Sequence, residues 1–177
     1  MRALLVIDML EDFVAAGGSL YCGETSERII PFVESKIREY LTGGGLVIFI
    51  ADHHAPDDRE FSRFPRHCVA GTTGARVIER LSRAAEGANG RVYTVTKNRY
   101  SGFYGTELEK ILKDNRVEQV GVVGVCTNIC VLYTVEELCN RDYDVVVYRK
   151  GVASFDEDAH NFALKQMATV LGARIEE

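Results

Sequence analysis

Six short runs of β-branched and other apolar residues alternate with longer amphipathic segments, and this alternation limits the folds open to the chain. The runs predict buried strands at 3–7, 46–50, 91–95, 119–123, 144–148 and 173–175. Helical spacing of apolar residues predicts helices around 29–41, 77–81, 108–112, 131–138 and 162–171. Repeated strand, helix, strand units favour a parallel sheet with right-handed crossovers. We therefore predict an α/β fold, a single-domain three-layer sandwich over residues 1–177 with a mostly parallel six-stranded sheet and helices on both faces.

Composition excludes several classes of function. The 177 residues carry a net charge of -5 and no stripe of Lys and Arg that could follow a phosphate backbone, so we expect no nucleic-acid partner. The first apolar run ends at Asp8, too early for a signal peptide or a membrane span. The five cysteines are odd in number and contain no C-x-x-C pair, which favours free thiols in a reducing compartment. We expect a soluble cytoplasmic protein that forms a homo-oligomer and does not bind membranes.

Local signals mark two helix starts and one long loop. Thr106 with Glu109 and Ser154 with Glu157 have the spacing of capping boxes. The segment 51–71 has no periodicity, and a loop of that length in a compact domain is usually functional. These signals predict helices that begin near 106 and 154 and a functional loop after the second strand.

Polar side chains follow four of the predicted strands. Asp8 ends the first strand, Asp52 and His54 follow the second, Lys97 follows the third, and Cys130 comes shortly after the fourth. Ligands of an open parallel sheet bind beyond the carboxyl ends of its strands. The sequence therefore predicts that an acid, an ammonium, a thiol and metal-ligand side chains meet at one edge of the sheet.

Cys130 is the candidate nucleophile. It lies just inside the predicted helix, for which Thr127 or Asn128 is the expected N-cap, and a helix N-terminus favours an anion. With Lys97 nearby, we expect the pKa of the thiol to fall from about 8.5 into the range of about 3.5 to 7.5. Asp8 is then the natural acid and base. Taken alone, each residue also has a structural interpretation: a buried apolar thiol for Cys130, and an ion pair between Asp8 and Lys97.

A second group of residues has the chemistry of a metal site. Asp52 and His54 point to the same side of an extended segment, and His67 can fold back to join them. Two nitrogens and one oxygen suit one divalent transition metal, with Zn favoured and Fe or Mn compatible. Glu60, in the connecting loop, is a candidate additional ligand. We expect His53 to point into the structure and His160 to be a surface or packing residue.

Five sequence blocks in order resemble the nicotinamidases of the isochorismatase-like cysteine hydrolase superfamily. The blocks cover essentially the whole chain: VIDMLEDF (6–13), ADHH (51–54), FPRHCVAGTTGA (64–75), KNRYSGFYGTELE (97–109) and GVCTNICV (124–131). The resemblance implies that Asp8, Lys97 and Cys130 form a catalytic triad and that Asp52, His54 and His67 bind the metal. The strand ends, together with the metal-ligand chemistry of His67, indicate the same residues independently.

The resemblance also implies a substrate pocket and an oxyanion hole. The oxyanion-hole amides fall on Cys126 and Cys130, and a cis peptide bond is expected between Val125 and Cys126. The residues that match pocket positions of the family are Phe13, Phe64 and Tyr104, all of which core packing would explain equally well. Phe64 stands where relatives often have Trp, and the fourth ligand varies in the family, so both substrate breadth and the role of Glu60 stay open.

The activity implied is hydrolysis of nicotinamide to nicotinate and ammonia through a cysteine thioester, a reaction of NAD salvage. A related amidase acting on a ureido or other small amide is an alternative, as is a redox-sensing protein whose thiol is reactive without being catalytic. The superfamily subgroup that cleaves the vinyl ether isochorismate lacks the nucleophilic cysteine. The presence of Cys130 argues against that reaction.

Overall fold

The computed structural model describes residues 1–177 as a single α/β domain. The strands are β1 (Arg2–Ile7), β2 (Leu46–Asp52), β3 (Val92–Lys97), β4 (Gln119–Val125), β5 (Asp144–Ala153) and β6 (Arg174–Glu176). The α-helices are α1 (Glu11–Val14), α2 (Glu24–Arg28), α3 (Ile30–Thr42), α4 (Glu79–Ala84), α5 (Leu108–Asp114), α6 (Leu132–Cys139) and α7 (Glu157–Thr169). Two 3₁₀ turns, Arg59–Ser62 and Thr73–Ala75, lie between β2 and α4, and a π-helical turn, Thr127–Val131, precedes α6.

The six strands form one parallel sheet in the order β3-β2-β1-β4-β5-β6. The predicted fold class is confirmed, and all six predicted strands are present. Several strands extend beyond their predicted ends, so that β2 includes Asp52, β3 includes Lys97 and β4 includes Val125. None of the helices combines the length and the apolar character that crossing a membrane requires.

The core lies on both faces of the sheet, as the alternation of side chains along β1 illustrates. Leu4 and Val6 belong to the apolar layer that includes the buried side chains of α3 and α4. Leu5 and Ile7 belong to the opposite layer, with the buried side chains of α5, α6 and α7. Burying each such side chain stabilises the fold by about 1.5–3 kcal/mol. The central strands are therefore well anchored, and their carboxyl ends are fixed relative to one another.

Register brings the polar strand ends together. Ile7 pairs with Ile50 of β2 and with Gly124 of β4, and Asp52 pairs with Lys97. Gly124 has a φ of +123°, and a Cβ there would lie 2.0 Å from the carbonyl oxygen of Ile7. Any larger residue would push β1 and β4 apart at the point where the candidate site begins.

The helix starts differ from the capping-box predictions. Asp156 caps α7, because its Oδ1 accepts a hydrogen bond of 2.8 Å from Ala159 N, whereas Ser154 donates to the side chain of Asn128. Thr106 Oγ1 accepts from Leu108 N at 3.2 Å, although Glu107 occupies the cap position of α5. Both helices therefore begin slightly later than predicted, where the backbone leaves its extended or turn conformation.

Candidate active site and metal centre

Asp8 is a buried carboxylate immediately after β1. Its backbone has a φ of +52°, and its residue exposure is 1%. Oδ1 accepts a hydrogen bond of 2.9 Å from Asp52 N, and Oδ2 lies 2.9 Å from Lys97 Nζ. A carboxylate oxygen of Asp8 lies within 4.8 Å of the Cys130 sulfur. The acid and the thiol are therefore brought together as the sequence predicts.

Lys97 links the carboxylates to the thiol. Its side chain is fully buried, and Nζ contacts Asp8, donates a hydrogen bond to Asp52 Oδ1 and lies 3.5 Å from Cys130 Sγ. Burial by itself would lower the pKa of Lys97, but the negative charges of Asp52 and Asp8 outweigh this effect and raise the pKa above its usual value. Lys97 is thus a protonated ammonium shared by two carboxylates and one sulfur.

Cys130 lies in the π-helical turn that joins β4 to α6. The N-cap of this turn is Cys126, not Thr127 or Asn128 as expected, and the Val125–Cys126 peptide bond is cis as the resemblance implies. The Thr127 hydroxyl lies 2.8 Å from His160 Nδ1, and Asn128 accepts a hydrogen bond from Ser154. His160 is therefore half-buried and packs against the turn, which is one of the two roles expected for it.

The thiol is not activated in the way that the sequence predicts. Burial raises the pKa of Cys130 above its usual value, and the charge of Lys97 only partly offsets burial while Asp8 adds to the rise. The expected fall in this pKa is therefore wrong for the substrate-free protein, because the sequence does not reveal that the sulfur is almost completely enclosed. Burial and the charge of Asp52 also raise the pKa of Asp8, to about 6, against the opposing effect of Lys97.

These shifts predict how the thiol responds to loss of Asp8. In chelator-treated protein, alkylation of Cys130 by iodoacetamide is expected to be slow at neutral pH and to accelerate above pH 9, because only the thiolate reacts. Asp8→Asn removes a negative charge that raises the thiol pKa, so the alkylation profile should move to lower pH by roughly one unit. The rate of alkylation against pH is the measurement, with peptide mapping to separate Cys130 from the other four cysteines.

One control variant and one contradicting outcome make this experiment decisive. Asp114→Asn removes an exposed carboxylate from a surface ion pair with Lys110 and should leave the profile unchanged. Slower alkylation of Asp8→Asn at every pH would contradict the electrostatic account, because it would mean that Asp8 assists deprotonation even in this simple reaction.

The candidate metal ligands also meet. Asp52, His54 and His67 are buried, and one ligand atom of each lies within 4.8 Å of the others. Asp52 Oδ2 lies 3.5 Å from His54 Nε2 and 3.7 Å from His67 Nε2, while its Oδ1 is engaged by Lys97. Burial favours a higher pKa for Asp52, but the charge of Lys97 and the two neighbouring histidines hold the pKa well below its usual range. Asp52 is therefore ionised and available as an oxygen ligand.

The orphaned polar atoms of this group fit a bound cation. His54 Nε2 and Glu60 Oε2 are buried without a hydrogen-bond partner, which is costly unless another group satisfies them. Glu60 is 3% exposed, and burial and the charge of Asp52 raise its pKa. Nitrogen and oxygen donors in this arrangement suit a divalent transition metal. His53 is not one of them: it was expected to point inward and is instead exposed.

A partly enclosed cavity opens beside the Cys130 thiol and the carboxylates of Asp8 and Asp52. Phe13 and Phe64 line it, and their rings lie 5.4 and 6.3 Å from the His67 ring. Tyr104 does not line the cavity; it is 63% exposed, so the pocket position that the sequence comparison gave it is not supported. Of the three pocket residues that the resemblance implies, Phe13 and Phe64 therefore lie in the cavity wall and Tyr104 does not.

Sequence reasoning missed part of the cavity wall. The additional apolar and aromatic lining residues are Leu20, Tyr100, Val125, Ile129 and Phe155. Tyr100 lies three residues after Lys97, so its position beyond the end of a predicted strand could have identified it as a cavity residue from the sequence. Phe155 follows β5 in the same way, although it remains 53% exposed at the rim.

The family model for the isochorismatase domain matches residues 2–176. The chain belongs to the isochorismatase family. Within this family, the crystal structure of a nicotinamidase/pyrazinamidase from Bacillus subtilis is 35% identical, covers 99% of each chain and superposes with a TM-score of 0.95.

Two further solved isochorismatase-fold structures bear on the site. A pyrazinamidase of Pyrococcus horikoshii in complex with zinc is 32% identical, covers 99% of this chain and 98% of its own, and has a TM-score of 0.90. An N-carbamoylsarcosine amidase from Thermoplasma acidophilum is 29% identical, covers 99% and 95%, and has a TM-score of 0.87. The chain is thus similar both to proteins named for nicotinamide and pyrazinamide and to one named for N-carbamoylsarcosine.

Proposed function

We propose that this protein hydrolyses nicotinamide to nicotinate and ammonia through a thioester on Cys130. The observation that carries the proposal is the meeting of the Asp8, Lys97 and Cys130 side chains at a cavity with aromatic walls that also contains Asp52 and His67. The similarity to a nicotinamidase/pyrazinamidase over the whole chain supports the same substrate class.

In the first half of the reaction, Asp8 accepts the proton of the Cys130 thiol as the sulfur attacks the amide carbon. A pKa of about 6 suits this role, because Asp8 is ionised at neutral pH and can still hold a proton. Lys97, 3.5 Å from the sulfur, stabilises the developing thiolate. The backbone amides of Cys126 and Cys130 hold the negative oxygen of the tetrahedral intermediate. Asp8 then gives its proton to the leaving nitrogen, which departs as ammonia.

In the second half, water hydrolyses the thioester. Asp8, again ionised, takes a proton from the water as its oxygen attacks the thioester carbon, and the same two amides hold the oxyanion. The carbon–sulfur bond breaks, the proton held by Asp8 returns to the Cys130 sulfur, and the product acid loses its remaining proton to solvent to give nicotinate. The residues are restored to their starting protonation states.

Asp52, His54 and His67 would hold one divalent metal, with Glu60 as an additional ligand. The unsatisfied His54 Nε2 and the ionised Asp52 fit such an ion, and zinc is our first choice because a similar pyrazinamidase was solved with zinc. Fe and Mn accept the same donor types. The metal, when bound, would attract the ring nitrogen of the substrate and so orient the ring in the cavity that Phe13 and Phe64 line.

We place the reaction in the cytoplasm, as part of pyridine nucleotide salvage. All five cysteines are free, and Cys22 and Cys126 lie with their sulfurs 3.1 Å apart without a disulfide. Free thiols in this number are typical of a reducing compartment. The expected homo-oligomer remains a prediction of the sequence.

Ammonia release from a set of matched amides tests the function. Zinc-loaded protein is expected to turn over nicotinamide and pyrazinamide, and to act far more weakly on benzamide, which has the same ring size and carboxamide but no ring nitrogen. The measurement is kcat/KM for each compound, with N-carbamoylsarcosine as the ureido member of the set.

The second candidate function is a ureido amidase, which the similarity to N-carbamoylsarcosine amidase favours. Turnover of N-carbamoylsarcosine without turnover of nicotinamide would replace the proposed substrate and keep the cysteine chemistry. No turnover of any amide would instead favour the redox-sensing alternative for Cys130.

A further inference from the structure

Asp58 is a buried carboxylate that the proposed reaction does not use. Its side chain is 5% exposed, and it stands at the start of the 3₁₀ turn Arg59–Ser62, where its Oδ1 accepts a hydrogen bond of 2.9 Å from Glu60 N. Its Oδ2 lies 3.1 Å from Nδ1 of His54. The carboxylate therefore contacts a candidate metal ligand on the side facing away from Asp52.

Arg99 holds this carboxylate in place. Its Nη1 donates hydrogen bonds of 3.0 and 3.1 Å to the two oxygens of Asp58, and its own side chain is 34% exposed. Arg99 lies two residues after Lys97, which binds Asp52 in a similar way. The end of β3 thus supplies two cations, and each fixes one of the two carboxylates that flank His54.

The contact with Asp58 determines which nitrogen of His54 carries a proton. A carboxylate paired with a guanidinium can only accept, so the hydrogen in this contact belongs to Nδ1 of His54. The lone pair of a neutral ring is then left on Nε2, which is the buried atom without a partner, 3.5 Å from Asp52 Oδ2. The ring is oriented and polarised for coordination through Nε2.

We propose that Asp58, fixed by Arg99, is a positioning residue that sets the tautomer and orientation of His54 for metal binding. The inference rests on the metal site of the proposed function. Partners of this type on the distal nitrogen of a ligating histidine typically change metal affinity by about 10- to 100-fold. Asp58 and Arg99 therefore act on zinc affinity and not on the Cys130 chemistry.

The test is the zinc affinity of Asp58→Asn, measured by competition with a chromophoric chelator. Asparagine keeps the shape of the side chain and an oxygen for Glu60 N, but it presents an N–H toward Nδ1 of His54 and favours the wrong tautomer. Zinc affinity is expected to fall about 10- to 100-fold. The matched control is Asp57→Asn, which makes the same change at the adjacent, exposed residue and should bind zinc like the unaltered protein.

Variants of Arg99 and spectroscopy separate positioning from a general loss of structure. Arg99→Met should weaken zinc binding, and Arg99→Lys, which keeps a cation, should recover part of the loss; Arg59→Met, at an exposed arginine nearby, should have no effect. Nitrogen-15 NMR of the zinc-loaded, unaltered protein should show His54 protonated on Nδ1 and coordinated through Nε2. Coordination through Nδ1 would overturn the proposal even if every Asp58 variant failed to fold.

The outcomes distinguish this inference from the proposed function. Equal zinc affinity in Asp58→Asn, Asp57→Asn and the unaltered protein overturns the positioning role and leaves the proposed amidase intact. No zinc binding by the unaltered protein, with His54→Ala as reference, overturns both the metal site and the role of Asp58. Ammonia release measured in parallel shows whether the cysteine chemistry survives that result.

Discussion

Cys130→Ala is expected to abolish ammonia release, with kcat falling by at least about 10⁴-fold. Neither Asp8 nor Lys97 can replace the sulfur as the atom that forms the acyl intermediate, and alanine is small enough to fit the buried site. The free energy of unfolding should change little. The sulfur makes a long contact of 3.5 Å with Lys97 Nζ, and its removal leaves Lys97 paired with Asp8 and Asp52. Steady-state kinetics and urea unfolding of the same preparation measure the two effects.

Cys139→Ala is the matched control for this substitution. Cys139 is a partly buried cysteine at the end of α6 and does not line the cavity, so the variant should keep normal turnover. Acid quenching during turnover should also yield an acylated peptide that contains Cys130 in the unaltered protein and in Cys139→Ala. Retention of more than a tenth of the activity by Cys130→Ala would exclude the thioester mechanism.

Lys97→Met is expected to have the largest effect on stability, about 3–5 kcal/mol of unfolding free energy. The methionine approximately fills the space of the lysine stem but leaves Asp8 and Asp52 as neighbouring buried carboxylates without a counter-ion. Isolated buried charges of this kind are much more costly than a missing surface pair. Urea-induced unfolding of the metal-free protein provides the measurement.

Two variants test whether the loss arises from uncompensated charge. Adding Asp8→Asn to Lys97→Met removes one of the two unpaired carboxylates and should restore part of the stability. A double-mutant cycle measures this coupling between Asp8 and Lys97. Lys110→Met, which breaks an exposed ion pair with Asp114, should leave the unfolding curve unchanged. A Lys97→Met protein as stable as the unaltered one would show that Asp8 and Asp52 take up protons instead of remaining charged.

The fold and the positions of the site residues were predictable because they follow from local patterns. Buried parallel strands require runs of β-branched residues, and polar residues that directly follow such runs must lie at one edge of the sheet. Asp8, Asp52 and Lys97 are all of this type. The structure brings them together with Cys130, although their distances depend on a register that no single run encodes.

The properties that depend on enclosure were not predictable. Whether Cys130 is a thiolate or a thiol depends on how completely several segments cover it, and the structure shows that burial dominates over the nearby ammonium. Tyr104 and Tyr100 are equally plausible wall residues in the sequence, and only the path of the chain after β3 decides between them. The contact of Asp58 with Arg99 is similarly a product of two loops that meet in space.

The chain supplies the two halves of the candidate site in different ways. The candidate triad comes from three separate strand ends, whereas the candidate metal ligands all lie in the single stretch 52–67, and Asp52 contacts both groups. A loop segment can be replaced as a unit without rebuilding the sheet beneath it. The part of the site that would recognise the substrate can therefore diverge in evolution while the bond-breaking residues stay fixed, and the end of β2 marks a natural boundary for engineering new amide specificities.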